Sequence, residues 1–341
     1  MIRIAAANLL LLALLARASF GEEPLKVCAT VPELGSLVRI VGGADVSVTV
    51  FAKGSEDPHF VEARPSFVTA LAKADALAVV GLELEIGWAP ALWEQSRNAR
   101  ILPGAAGHWD ASRGLSPLEV PAGPVDRSMG DVHPGGNPHY LLDPLEGLRA
   151  AERLRDGLTS VRPSRASEFE ANLSAFRKAL GEKLVGVELH AKYDGAKLAR
   201  LHAHGKLREF LAKQGDEGKL GGWLGLLAPF QGTAAVDDHA LWPYFARAFG
   251  LKIAEHLEPL PGVSPTSRHL ARVVKRMQEE RIALLITSAY YDPKSAEMVA
   301  RQTGARIARL AHQAGAYPQT GEYIEWLDFN VKKIHETLSS K

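Results

Sequence analysis

Apolar and polar positions alternate between two periods along this chain. Residues 25–31 form a short apolar run with β-branched members, which predicts a strand. Leu34, Leu37 and Val38 recur at helical spacing, and the pattern stops at Gly42-Gly43, which predicts a helix from Pro32 to Ile40. Val46, Val48 and Val50 alternate with Ser47 and Thr49, a second strand over 46–51. A helix opens at Pro65 and runs through Leu71, and a third strand over 76–80 ends at Gly81. Strand, helix, strand, helix, strand is the pattern of a parallel sheet.

The same pattern returns in the second half. Strands are predicted over 233–236, 251–257, 282–287 and 305–310, with helices from His239 through Phe249, over 265–280, 293–303 and 321–338. Between the halves lies a different texture. From 103 to 138 glycine and proline are dense and periodicity fades, which predicts a long functional loop. Asp143-Pro144 then starts a helix, with Asp as N-cap and Pro at the first helical position. A long charged stretch from Pro163 to His190 predicts a connector helix, and the basic-leaning residues 191–222 a helical hairpin or excursion. The expected organisation is a signal peptide over 1–21, a first lobe over 22–160, a connector helix over 161–190 and a second lobe over 191–341 with the excursion near 191–222.

Composition changes this picture little. The 341 residues exceed one typical domain, and 46% apolar with 23% charged residues describes a globular protein. A net charge of +1 offers no footprint for nucleic acid. The N-terminus stands apart: Arg3, an apolar run to Leu15 and small residues at Ala16–Gly21 predict a secretory signal peptide, being too short to span a bilayer comfortably. The single cysteine, Cys28, forms no internal disulfide; Lys26 and Val27 ahead of it suit a buried strand cysteine better than a lipidation site.

Candidate chemistry comes from histidine. His59 and His239 follow predicted strands, where ligands of open α/β sheets gather, His139 approaches the helix after Asp143, and His312 follows the last strand. Neutral imidazole suits zinc, and a closed tetrahedral site needs four such ligands. The spacing is not that of a zinc finger or of H-E-x-x-H. Lone loop histidines are more often solvated, which is the reading for His133, His202, His204, His256, His269 and His335, with His108 and His190 unassigned.

Several motifs in order resemble the solute-binding proteins of metal-specific ABC transporters. They are Asp57-Pro58-His59-Phe60, Gly130-Asp131-Val132-His133, Asn137-Pro138-His139-Tyr140 and Leu142-Asp143-Pro144, then His239 to Phe245, Asp292-Pro293-Lys294 and the closing Glu322-Tyr323 to Asn330-Val331. The resemblance implies an α/β fold of two Rossmann-like lobes with parallel sheets, joined by a long connector helix, with the metal in the interlobe cleft. It implies metal ligands at His59, His139 and His239. Where the family usually has a fourth ligand, a carboxylate, this chain has His312: either His312 takes that place, or three histidines are completed by water or a carboxylate from elsewhere, with Asp238 the reserve or else an acceptor orienting His239. Residues 185–222 depart from the family's shorter form, and His202 and His204 there suit a solvated helix face.

The function expected on this resemblance is non-catalytic capture of Zn²⁺ in the periplasm by a monomer, and delivery to a membrane permease with its cytoplasmic ATPase. Mn²⁺, which prefers oxygen ligands, is the alternative cargo. A secreted zinc hydrolase is the rival class, needing an open coordination position and a base such as Glu56, Glu62 or Asp238. A surface adhesin that keeps the metal site is a further alternative.

Overall fold

The computed structural model describes residues 22–126 and 129–340, so the expected signal peptide lies outside the described residues. Two parallel four-stranded sheets are present. The first comprises β1 (Leu25–Ala29), β2 (Val46–Val50), β3 (Ala76–Val79) and β4 (His108–Asp110), in the order β2-β1-β3-β4. The second comprises β5 (Ala234–Asp237), β6 (Lys252–His256), β7 (Leu284–Ser288) and β8 (Arg306–Leu310), in the order β6-β5-β7-β8. The spatial order is the same in both sheets. Every residue of the inner strands β3 and β7 is buried, as expected where helices cover both faces of a parallel sheet.

In the first lobe, α1 (Pro32–Gly42), α2 (Pro65–Lys73) and α3 (Ala89–Gln95) each place Pro in the first turn, where its missing N–H costs nothing. Two elements here differ from the sequence reading. Helix α3 was not expected, and β4 lies inside the stretch read as loop; three residues are too few to show a period among surrounding glycines and prolines. Helix α4 (Pro144–Val161) starts as expected, with the Asp143 carboxylate accepting from the Leu145 amide at 2.8 Å.

The expected single helix from Pro163 to His190 is divided. Helix α5 (Ala166–Val185) stops where Gly186 adopts φ 86°, and α6 (Val187–Tyr193) starts afresh. Gly186 tolerates that dihedral because it lacks a Cβ. Residues 191–222 continue as short helices, α7 (Gly195–Ala203) and α8 (Leu207–Gln214), before α9 (Gly222–Leu227). Helix α5 packs on α1 of the first lobe and on α9 at the entrance to the second.

In the second lobe, α10 (Pro243–Phe249), α11 (Ser267–Glu279) and α12 (Lys294–Thr303) cover the sheet, and the chain closes with α13 (Tyr323–Ser339). Helix α13 packs on β8 but is fixed at its start to the first lobe. Ser36 of α1 accepts the Tyr323 amide at 2.9 Å and donates to Glu322, while the Tyr323 hydroxyl donates to Leu141 O at 2.7 Å. One continuous core accordingly runs through both lobes, including Tyr140, Tyr244, Phe249, Tyr323 and Trp326, all fully buried. Cys28 sits in that core, where burial pushes its thiol up to about 12. Among the described residues, no helix is long and apolar enough to cross a membrane.

Candidate metal centre

The carboxyl ends of the strands converge on a cleft between the lobes, and four imidazoles meet there. Ring centroids of His59 and His139 are 5.2 Å apart, those of His59 and His239 6.1 Å, and those of His139 and His239 6.0 Å. His133 stacks on His59 at 5.2 Å. Three of the four expected ligands are thus brought together, and a histidine read as solvated joins them.

Each ring is aimed by a specific partner. His59 follows β2 in a tight turn in which Asp57 accepts from both its amide (2.9 Å) and its Nδ1 (2.8 Å). Burial would raise the Asp57 carboxyl, but the hydrogen bonds from the His59 side chain and amide hold it below its ordinary value. An Nδ1 against a carboxylate carries the proton, so Nε2 of His59 keeps its lone pair for the cleft. His239 is aimed the same way, with Nδ1 2.7 Å from Glu258 and 2.8 Å from the Tyr291 hydroxyl. Glu258 was not singled out from the sequence, yet the register points to it. Asp237 of β5 pairs with His256 of β6, and the pairing continues past the strand ends, where the Leu257 amide donates to Asp237 O and the Glu258 amide to Asp238 O. Two residues beyond each paired position stand His239 and Glu258.

His139 is held by the motif around it. The Asn137 side chain accepts the His139 amide at 2.9 Å and donates to Ala240 O, next to His239, at 2.7 Å. Tyr244 of α10 donates to Asn137 O and accepts the Leu118 amide. One asparagine therefore ties the His139 loop of the first lobe to the His239 loop of the second. Burial and the neighbouring His59 and His239 push His139 well below the ordinary imidazole value, so it is neutral and able to ligate at neutral pH.

His312 stands apart from the ring cluster. It packs on Tyr290 at 4.3 Å and shares the lining of a small cavity with His139. Its Nε2 lies 3.0 Å from Glu56 O and so carries the proton; its Nδ1 is buried and has no hydrogen-bond partner among the described residues. Burial pushes its pKa down to about 4. A buried, unpaired imidazole lone pair costs free energy that a cation would recover.

Asp238, the reserve ligand, is engaged elsewhere: its carboxylate accepts from the Ser288 amide and hydroxyl, and burial raises it to about 7. The His239 ring is instead oriented by Glu258. His256 and His269 also differ from the solvated reading. His256 is half-buried against Asp237, and His269 is buried with Nε2 3.0 Å from His256 O. His204 is exposed on the excursion, as expected, while His202 is half-buried.

A cavity of about 240 Å³ opens beside the cluster, lined by His133, His139 and His239 together with Asp131, Glu119 and Glu258. Among the described residues, no group of three or more His, Cys, Asp or Glu side chains stands in position to hold a metal ion. The rings converge, but Nε2 of His59 is hydrogen-bonded to Nε2 of His133 at 3.1 Å. The donor set nevertheless suits a borderline cation: imidazoles with protons fixed on the far nitrogen by carboxylate or carbonyl oxygens.

The family model described as "Zinc-uptake complex component A periplasmic" matches residues 27–187 and 226–337. The chain belongs to this family. The gap between the matched segments falls on the helical excursion. A manganese-binding lipoprotein, MntA of Halalkalibacterium halodurans, is 28% identical over 93% of this chain and 89% of its own length. The metal ABC transporter substrate-binding lipoprotein SloC of Streptococcus mutans is 21% identical over 94% of this chain and 92% of its own. The zinc-binding lipoprotein AdcA of Streptococcus pneumoniae is 20% identical over 94% of this chain, which spans 57% of that longer protein. Among solved structures, a crystal structure of ZnuA superposes with a TM-score of 0.67 at 21% identity, covering 93% of this chain and 100% of that one. The fold is therefore the two-lobed α/β fold of that structure.

Proposed function

We propose that the protein captures Zn²⁺ outside the cytoplasm and hands it to the membrane permease of an ABC transporter, without catalysing a reaction. The ligands in this reading are Nε2 of His59 and His239, a ring nitrogen of His139, and Nδ1 of His312. The observation that carries it is the use already made of the flanking carboxylates. Asp57 and Glu258 each commit an oxygen to Nδ1 of the imidazole they orient, and Asp238 accepts from Ser288, so the Nε2 lone pairs of His59 and His239 are the ones aimed at the cleft. Imidazole nitrogen favours zinc, whereas Mn²⁺ prefers oxygen donors. Four imidazoles also close a tetrahedral shell and leave no coordination position for the activated water that a hydrolase needs.

Zinc competition titration of the His139→Ala protein tests this reading. Loss of one of about four ligands should weaken binding by about an order of magnitude or more. Wild-type affinity in that variant overturns the site.

A further inference from the structure

His133 stands outside the proposed ligand set and touches one of its members. His133 lies on the segment from Met129 to Asn137 that bridges the two lobes over the cavity. At one end the Asp131 amide donates to Pro261 O of the second lobe at 2.8 Å. At the other the Gly136 amide closes a turn on His133 O at 3.0 Å, and the Asn137 amide donates to Leu118 O at 2.9 Å. The segment's course allows little else: a Cβ on Gly130, at φ 67°, would lie 2.1 Å from Pro261 O. From this frame the His133 ring stacks on His59 and its Nε2 reaches Nε2 of His59 at 3.1 Å.

Proton positions along this chain of contacts follow from one anchor. The Asp57 carboxylate fixes the His59 proton on Nδ1, so Nε2 of His59 can only accept, and Nε2 of His133 must donate. The acceptor lone pair is the one that the ligand set assigns to zinc. An sp² nitrogen has a single lone pair in the ring plane, so hydrogen bond and metal bond exclude each other.

We propose that His133 is a placeholder: it occupies the cargo's coordination position on His59 in the metal-free protein and is displaced when Zn²⁺ arrives. The inference rests on the assignment of His59 as a ligand. On capture, the hydrogen bond from His133 to His59 breaks and the His59–Zn²⁺ bond forms in its place, with the proton remaining on His133 and no change in oxidation state. With four ligands in the shell, His133 has no place in it and turns to the cavity. The contact stabilises the metal-free state alone, so it lowers affinity and slows entry. It also makes the set of the segment over the cavity depend on whether the site is loaded, which gives a docking permease a surface that differs between the two states.

The sign of one measurement separates this role from that of a ligand. Zinc affinity by competition titration and association rate by stopped flow are measured on the full mature chain carrying His133→Ala, His133→Phe or His139→Ala. Removing the placeholder should tighten zinc binding about three- to tenfold, the size of one net hydrogen bond, and raise the association rate, in both His133 variants. A His133 variant that binds zinc more weakly, or with unchanged affinity, overturns the proposal, the former making His133 a ligand. Thermal melts of the metal-free variants identify any that fails to fold, and His133→Phe, which keeps a ring on His59, then decides. Failure of the site itself is read separately, as wild-type affinity in His139→Ala.

Discussion

Glu258 accepts from Nδ1 of His239 at 2.7 Å and, with the same oxygen, from the Gly262 amide at 2.9 Å. One carboxylate thus aims a cleft-facing ring and shapes the turn at residues 258–262, which in turn receives the Asp131 amide through Pro261. Replacing it should disturb both. Glu258→Ala should weaken zinc binding about 10–100-fold, the usual range for losing a group that orients a ligand. Glu258→Gln, whose amide oxygen can still accept from Nδ1, should fall between. Competition titration checks both, and a Glu258→Ala protein with undiminished affinity refutes the orienting role.

The Gly130 backbone is the second point of leverage. Its φ of 67° and the approach of Pro261 O leave no room for a side chain. Gly130→Ala should release the segment from the second lobe at little cost elsewhere. Amide exchange at residues 130–136 of the metal-free protein should speed up about tenfold or more, since a strained left-handed alanine costs about 1–2 kcal/mol, with the melting temperature nearly unchanged. Retained protection there shows that the Pro261 contact does not hold the segment.

Stability should respond to pH from both sides. His256 would be lowered by burial, but Asp237 beside it raises it to about 9. A folded-state value above the unfolded one, about 6.5, means stability that is fully present below pH 6.5 and lost as pH rises through about 9. His312 runs the other way. Burial depresses it to about 4, so stability is full above pH 6.5 and declines as pH falls from there toward 4. Melting curves of the metal-free protein should show both flanks. His256→Gln should flatten the alkaline one only; an unchanged alkaline slope would mean that the Asp237 pair contributes nothing.

Tyr323→Phe should lower stability by about 1–2 kcal/mol, because the Leu141 carbonyl loses its buried hydroxyl donor. Chemical denaturation measures this directly. A loss below a few tenths of a kcal/mol would show that the contact between the lobes is dispensable.

Sequence periodicity was a good guide where elements are long and buried on one face or two. Leu148, Ala151, Leu154 and Leu158 of α4 show the helical spacing, and the all-apolar β3 shows the run of a strand covered on both sides. It failed at β4, three residues among glycines and prolines, and at Gly186, which divides a charged helical pattern that has no period change to betray it. The site was legible only in part. His59, His139 and His239 stand in recognisable motifs, and their orienting partner Asp57 is two residues from the ring it holds. His133 meets His59 across 74 residues, and Glu258 meets His239 through strand register. Neither contact leaves a local trace in the sequence.

Helix α13 begins on the first lobe and ends on the second, and the larger of two core clusters, which spans both lobes, runs beneath it. A frame braced in this way resembles a chassis: side chains and core tie the lobes to each other, and the converging imidazoles sit in loops bolted to the strand ends. Relatives named for manganese, zinc and iron match over 92–94% of this chain at 20–28% identity, as expected if fittings are exchanged while the chassis persists. On the capture proposed above, adjustment to the ion then falls to those loops rather than to a rotation of one lobe against the other.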